Sequence, residues 1–157
     1  RDVERSRGLG DVYKRQMCIW DFNSACDNYS HPVTEPQHFE LQHNVWYYML
    51  SKDEDFMNAV IERYRALRQG VLSDAYLNGY MDAVVEWLGP AVDRNFSVWG
   101  YALDKDMLSP AERNPHTHTE AVAQMKRFCT ERGAWMDEHI DILRQYSHES
   151  RNKKFNH

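Results

Sequence analysis

The stretch DEDFMNAVIERYRALRQGVLSDAYL, residues 53–77, decides the fold class. Gly70 stands where a helix needs a left-handed C′ residue, and Ser73 is a favourable N-cap for a second helix. Before Gly70, apolar residues recur every three or four positions, as they do on one face of a helix that packs against a core. These residues are Phe56, Val60, Tyr64 and Leu67. The stretch therefore predicts a helix, a short turn and another helix.

Two starts are open for the first of these helices. Ser51 with Glu54 fits a capping box, whereas Asp53 is an alternative cap that starts the helix near residue 53. Upstream, residues 44–50 read NVWYYML and are apolar on most sides. They predict a short helix that is buried.

The second helix is long, and its apolar stripe continues towards residue 99 with an interruption at Gly89-Pro90. Proline has no N–H and clashes with the preceding turn, so a kink is expected there. The stripe consists of Leu77, Met81, Val84, Leu88, Val92, Phe96 and Trp99. Residues 100–116 predict a loop, after which Thr117 and Glu120 form a capping box for a last helix that ends near Tyr146. The stripe of that helix is Val122, Met125, Cys129, Met136, Ile140 and Leu143, with Trp135 beside it.

Residues 17–22, MCIWDF, predict a short strand, and residues 24–42 predict a long loop. A strand needs a partner for its N–H and C=O groups, so part of the domain is expected to be missing from this chain. Residues 1–16 show neither helical nor strand periodicity and resemble translated read-through of a sequencing adapter, a non-native leader to be set aside. A natural disordered tail is the alternative. The polar stretch 147–157 is expected to be a frayed tail.

Length and charge exclude several classes of protein. The 157 residues suffice for one domain, and no apolar run approaches the roughly 20 residues of a transmembrane helix. Residues 1–16 hold five basic and three acidic residues of the chain's 19 and 24, which leaves a net charge of −7 for the rest. That charge disfavours a nonspecific nucleic-acid binder and docking on an anionic membrane. The aromatic content of 13% predicts large buried surfaces rich in rings.

Cysteine, histidine and arginine residues give weaker signals. The three cysteines form no CxxC pair and suggest neither a disulfide framework nor a zinc site. His116 and His118 have metal-like spacing but no third ligand nearby, so a solvated loop beside a helix cap is the better interpretation. The arginines of the first long helix, Arg63, Arg65 and Arg68, could face phosphate or substrate, although two of them are expected to pair on the surface with Glu62 or neighbouring acids.

Asp21 and Asn23 end the predicted strand with two oxygen-bearing side chains one residue apart. On residue type alone, a turn that accepts main-chain hydrogen bonds is the plain interpretation. The second interpretation is a strand that delivers a metal-binding carboxylate to an active site.

Five stretches, taken in order, resemble the C-terminal part of the CotH-type kinases, the spore coat protein H family. They are IWDFN at 19–23 with Asn28-Tyr29, WYYMLSKDEDF at 46–56, ERYRALRQGVLSDAYL at 62–77, RNFSVWG at 94–100, and the Arg132…Trp135-Met136-Asp137 pattern. The resemblance covers about residues 17–143. It implies a mainly α fold over 17–146, in which a short N-terminal strand and loop precede three to four helices. These would form the C-lobe part of an atypical protein-kinase-like fold.

The resemblance also implies phosphoryl transfer that uses ATP and Mg²⁺ in the intact protein. Asp21 would be a Mg²⁺ ligand, and Asn23 stands where the family usually has a second aspartate. In the family, the glycine-rich loop, the strand lysine and the catalytic aspartate lie upstream of this stretch. The chain is therefore expected to be an inactive fragment, with no catalytic or cofactor-binding residue of its own and with Asp21 and Asn23 as its metal ligands.

Two other functions stay open. Asn23 favours a non-catalytic, pseudokinase-like protein that interacts with the cell surface or the spore coat, and an unrelated helical bundle is the third hypothesis. Expected partners are a protein substrate, coat or surface proteins, and the missing N-terminal part of the chain's own domain. The residues do not determine localisation, and relatives are spore-coat-associated, secreted or at the cell surface.

Overall fold

The computed structural model of the chain describes residues 25, 26, 28, 39 and 45–148. Within them the fold is mainly helical, as the sequence predicts, and contains no β-strand. The α-helices are α1 (Val45–Leu50), α2 (Glu54–Arg68), α3 (Asp74–Leu88), α4 (Ala91–Trp99) and α5 (His118–His139). Short 3-10 helices span Gly100–Leu103, Ala111–Arg113 and Ile140–Tyr146. The strand expected over 17–22 lies outside the described residues.

The core forms where α2 meets the 3-10 helix that follows α5. Met57 and Ile61 of α2 and Ile140 and Leu143 of the 3-10 helix are at most 2% exposed. The face predicted for α2 is therefore partly wrong, because Phe56 is 37% exposed while Met57 beside it is buried. Each residue turns a helix by about 100°, so the true face is offset by one position, and it is set by side chains from the far end of the chain.

The start of α2 settles the choice between the two caps. Asp53 is the N-cap, and its side chain accepts a hydrogen bond of 2.8 Å from the Phe56 N–H. The Ser51 hydroxyl instead donates to the Tyr48 carbonyl at 2.7 Å. The interpretation with Asp53 is confirmed.

The end of α2 differs from the prediction. The helix ends at Arg68 as expected, but Gly70 does not have positive φ. The N–H groups of Gly70 and Leu72 both donate to the Leu67 carbonyl, at 3.0 and 2.9 Å, and close the helix without a left-handed residue. The predicted C′ conformation of Gly70 is therefore wrong.

The predicted interruption at Gly89-Pro90 is confirmed. Ser73 caps α3 by accepting a hydrogen bond from the Tyr76 N–H at 3.2 Å, and α3 ends at Leu88. Gly89 then adopts φ of 45°, a conformation that glycine reaches without steric cost, and Pro90 leads into α4. α3 lies along α5, and α4 contacts α3 and the 3-10 helix that follows it.

Aromatic side chains are more exposed than predicted. All six residues of α1 are between 40% and 75% exposed, so its predicted burial is wrong. The reason is that a six-residue helix can bury its sides only under another element, and the described part of the chain supplies none. Trp87 and Trp99 are 83% and 55% exposed. Within the described residues, the fully buried apolar side chains are aliphatic or methionine, so the expected ring-rich core is also wrong.

The last helix reaches the predicted end in two parts. α5 stops at His139, and the 3-10 helix continues to Tyr146. His148 then donates its N–H to the Lys52 carbonyl at 3.1 Å and forms an isolated parallel bridge with Asp53. No helix in the described ranges is long and apolar enough to cross a membrane.

Candidate functional site

The two predicted metal ligands, Asp21 and Asn23, lie outside the described residues. The turn that follows them in the sequence is described at residues 25, 26 and 28. The Asn28 N–H donates to the Ala25 carbonyl at 3.2 Å, and Cys26 between them has φ of 54°. Cys26 lies close enough to Cys129 in α5 to raise the pKa of the Cys129 thiol. The turn therefore lies near the last long helix.

A second contact joins the upstream chain to the same helix. The ring centroids of Phe39 and Trp135 are 4.8 Å apart, with a 56° tilt. The Arg132 guanidinium lies 5.3 Å from the Trp135 centroid and 5.8 Å from that of Phe39, within the range of a cation–π interaction. The His139 ring stacks on Trp135 as well, with ring centroids 4.5 Å apart. We refer to Cys129, Arg132, Trp135 and His139 as the α5 seat.

Arg68 of α2 connects its own helix to α5 and to the start of α3. Its Nε lies 3.0 Å from both carboxylate oxygens of Asp137, and its Nη2 donates to Asp137 at 2.8 Å. Its Nη1 donates to the carboxylate of Asp74 at 2.8 Å and to the carbonyl of Leu72 at 2.6 Å. Only 12% of the Arg68 side chain is exposed. The arginine therefore holds α2 against α5 and against the start of α3.

Tyr64 completes this network from one turn earlier in α2. Its hydroxyl lies 2.8 Å from Asp137 Oδ1, to which it donates, and 3.2 Å from the Gly133 carbonyl. Hydrogen bonds from Arg68, and secondarily from Tyr64, lower the pKa of Asp137 against the opposing effect of burial. Burial, reinforced by the bond to Asp137, raises the pKa of Tyr64. The network therefore stabilises the ionised carboxylate and the neutral phenol.

Gly133 is the residue of this network that sequence reasoning missed. A Cβ on Gly133 would lie 2.8 Å from Arg68 Nη1, so only glycine leaves room for the guanidinium against α5. The available signal was a glycine in the middle of a long helix, where it is unfavourable unless a close contact requires it.

The expectation for the arginines of α2 holds in part. Arg65 pairs with Asp141 on the surface, and both side chains are about half exposed. The Arg68 side chain is only 12% exposed, but it too pairs with acids, Asp74 of α3 and Asp137 of α5, which are 40% and 45% exposed, so the expected pairing is confirmed with partners other than Glu62. The reason is that its partners come from helices brought together by the fold. Arg68 is a structural residue with little freedom to bind phosphate.

A cleft of about 710 Å³ lies between α4 and the start of α5 and contains His116 and His118. The His116 Nδ1 lies 2.9 Å from the Leu103 carbonyl, and its side chain is 59% exposed. The Thr117 hydroxyl accepts from the Glu120 N–H at 3.1 Å and caps α5. Across residues 25, 26, 28, 39 and 45–148, no three His, Cys, Asp or Glu side chains form a possible metal site. His116 lies in the loop before the Thr117 cap, whereas His118 is the first residue of α5.

Burial, together with the neighbouring Cys26 and then Asp74, raises the pKa of the Cys129 thiol to about 11. Both cysteines are free and partly exposed. The α5 seat thus carries a thiol whose raised pKa keeps it protonated at neutral pH.

Comparison with protein families gives one result that bears on this site. The model of the CotH kinase protein family matches residues 10–136, a range that includes Asp21, Asn23 and most of α5. Comparisons with curated proteins and with solved structures found no match to this chain.

Proposed function

The chain belongs to the CotH kinase protein family, and on that premise we propose that residues 17–146 are the C-terminal, mainly helical part of an atypical protein kinase domain. In this proposal the intact domain transfers phosphate from ATP to a protein substrate with the help of Mg²⁺. The 157-residue chain by itself is inactive.

The observation that carries this proposal is the match to the CotH kinase protein family over residues 10–136, and the position of Cys26 near Cys129 of α5 supports it. Asp21 is five residues before Cys26, and five residues span at most about 17 Å. In this proposal, a short segment links a metal ligand at Asp21 to a turn that lies near α5. Catalytic groups need firm positioning, because misplacement by about 1 Å can cost roughly 100-fold in rate.

The donor set of Asp21 and Asn23 fits Mg²⁺. A carboxylate and an amide oxygen are hard ligands, and Mg²⁺ takes one or two such protein ligands and keeps several waters. When bound, Mg²⁺ bridges and neutralises the β- and γ-phosphate oxygens of ATP. Asp21 would supply the negative charge of this site, and Asn23 an oxygen without charge.

The test measures phosphate transfer from γ-labelled ATP by the protein that includes the proposed upstream part of the domain. We expect Asp21→Ala to lower labelling at least about 100-fold, since positioning and charge neutralisation supply nearly all of this catalysis. Asp55→Ala, an exposed acid on α2, is the matched control and should leave labelling unchanged. Equal labelling by the wild type and Asp21→Ala would remove Asp21 from the mechanism.

A second candidate function is a non-catalytic interaction protein of the cell surface or spore coat. Asn23 and an exposed aromatic face on α3 both favour it. Tyr76, Tyr80 and Trp87 lie on one side of this helix and are 51%, 61% and 83% exposed, and the two tyrosine rings stack with centroids 6.5 Å apart. Exposed apolar surface of this kind often marks a partner site.

Calorimetry with Mg²⁺ and ATP on the same longer protein separates the two functions. The kinase predicts binding that Asp21→Ala abolishes and that Asn23→Asp strengthens. The interaction protein predicts no nucleotide binding in the wild type. Restoration of both binding and labelling by Asn23→Asp would identify a site that has degraded from an active one.

A further inference from the structure

The helix α3 carries apolar side chains on two sides, and the described part of the chain covers one of them. Leu77, Met81 and Val85 are half-buried on one side, and α3 contacts α5. On the other side, exposed residues recur at the spacing of a face that packs against another helix. We call this surface the α3 outer face, and it consists of Tyr76, Gly79, Tyr80, Ala83 and Trp87. A helix that is apolar on both sides is normally covered on both, so the α3 outer face points to a partner.

The glycine of the α3 outer face has no counterpart among the described atoms. Gly133 leaves room for Arg68, whereas a Cβ on Gly79 would meet nothing within 4 Å. Glycine is unfavourable inside a helix unless a close contact requires it. Gly79 and Ala83 lie one turn apart among the larger rings, and they leave space in which the backbone of a second helix can approach.

The charge around this face is acidic. Positions 74–99, which include α3 and α4, carry four acidic residues and one basic residue. Asp74 pairs with Arg68 and Asp82 with Lys126, but Glu86 is exposed and forms no ion pair with any residue that the structure describes. Glu86 lies at the edge of the α3 outer face. An acidic edge repels nucleic acid and anionic lipid and favours a cationic partner.

The rings of the face suit cationic groups and a partner of small size. Tyr76 and Tyr80 have nearly parallel rings, with 3° between their planes, and guanidinium and ammonium groups bind over such rings. The exposed parts of these two rings and of Trp87 amount to about 300–500 Å². A stable contact between two folded proteins needs about 800 Å² on each side. The face therefore suits one helical segment better than a second copy of this chain, which would also bring a second acidic edge.

We propose that the α3 outer face binds a basic amphipathic helix of a partner protein. Apolar side chains of that helix pack over Gly79 and Ala83 and against Trp87, while its flanking arginines or lysines stack on the tyrosines and pair with Glu86. The proposal rests on the second candidate function and names the chemistry of its partner. It uses neither Asp21 nor ATP, so nucleotide binding and the peptide binding described below can fail separately.

The test uses a fluorescein-labelled synthetic peptide of about 18 residues, in which leucines recur at helical spacing and arginines flank them. Two matched peptides carry glutamine or glutamate in place of every arginine. Binding to the 157-residue chain is measured by fluorescence anisotropy at low and high salt. We expect the arginine peptide to bind at least about 10-fold more tightly than the glutamate peptide, with the glutamine peptide between them. This difference should shrink at high salt, because the charges are screened.

Substitutions locate the arginine peptide on α3. Trp87→Gln should weaken its binding at least about 10-fold, because an aromatic anchor at the centre of an interface carries much of the affinity. Gly79→Leu should also weaken binding, although leucine favours a helix more than glycine does. Glu86→Lys should weaken it about 3–10-fold at low salt. The matched controls Trp46→Gln, an exposed ring of α1, and Glu138→Lys, an exposed acid of α5, should bind the peptide as the wild type does.

Three results would overturn the proposal. One is an arginine peptide that does not bind, or that binds no more tightly than the glutamate peptide at low salt. Another is binding that Trp87→Gln or Gly79→Leu leaves unchanged. The third is a protein dimer in light scattering that Trp87→Gln dissociates, which would assign the face to a second copy. If Trp87→Gln does not fold by circular dichroism, Tyr80→Gln takes its place with the same expected loss.

Discussion

At Arg68, the donors of one guanidinium reach the carboxylates of Asp137 and Asp74 and the carbonyl of Leu72. Hydrogen bonds that involve a charged group contribute about 1.5–3 kcal/mol each when they are shielded from water. Arg68 is only 12% exposed, so its donors are shielded from water. Asp137 is 45% exposed, so solvent weakens the interaction at the carboxylate. The stabilising effect therefore rests mainly on the arginine.

Asp137→Asn should make the protein less stable and less sensitive to acid. The pKa of Asp137 is lowered in the folded state by Arg68, so its stabilising contribution is present above the unfolded pKa of about 3.9 and is lost as the pH falls through the lower folded value. We expect a loss of about 1–2 kcal/mol at pH 7 and a smaller decline of stability below about pH 4 than in the wild type. Urea unfolding at a series of pH values measures both. Parallel pH profiles for the two proteins would contradict this role.

Among the elements, α5 has the most varied set of contacts. It packs against α3, it contacts Arg68 of α2 near Gly133, and its seat residue Trp135 contacts Phe39 of the upstream chain. Gly133 of α5 suits one of these contacts, because the absence of a Cβ leaves room for the Arg68 guanidinium. Gly79 in α3 has no such role, since a Cβ there meets nothing within 4 Å.

Gly133→Ala and Gly79→Ala should therefore shift stability in opposite directions. Both substitutions gain about 1 kcal/mol of intrinsic helix propensity. At Gly133 the new methyl group would displace Arg68 from its carboxylates, and we expect a net loss of about 1–2 kcal/mol. At Gly79 the gain remains. Chemical unfolding of the two variants beside the wild type measures the difference, and stabilisation by both would show that Arg68 can move without loss.

At the scale of the whole molecule, the described fold has a small core and a large apolar exterior. Its fully buried apolar side chains come from α2 and the 3-10 helix after α5, whereas α1 and one face of α3 expose aromatic rings. Solvent-exposed rings contribute little to folding, because they lose little contact with water. They are, however, available to a partner, or to the rest of a larger domain.

Trp87→Gln should leave the free energy of unfolding within about 0.5 kcal/mol of the wild type, because 83% of this side chain is already exposed. Ile61→Ala is the comparison at a buried position and should cost about 2–5 kcal/mol. Urea titrations followed by circular dichroism measure both. A large loss for Trp87→Gln would mean that this ring is covered in solution, by a second copy or by another part of the protein.

Local features were the most predictable part of this fold. Ser73 and Thr117 were recognised as caps from their residue type, and Gly89-Pro90 as an interruption, because these effects act over a few neighbouring residues. The face of α2 was off by one residue because Met57 and Ile61 are selected by Ile140 and Leu143, about 80 residues away. The candidate metal ligands Asp21 and Asn23 remain a prediction.

The sequence by itself determined the helices, their caps and the family, because propensity, capping and motif order are properties of contiguous residues. Only the tertiary structure decided that Arg68 lies between Asp74 and Asp137, that Gly133 gives it room, and that Phe39 contacts Trp135. These contacts join residues that are far apart in the chain. Their geometry depends on how the helices pack, which no local pattern contains.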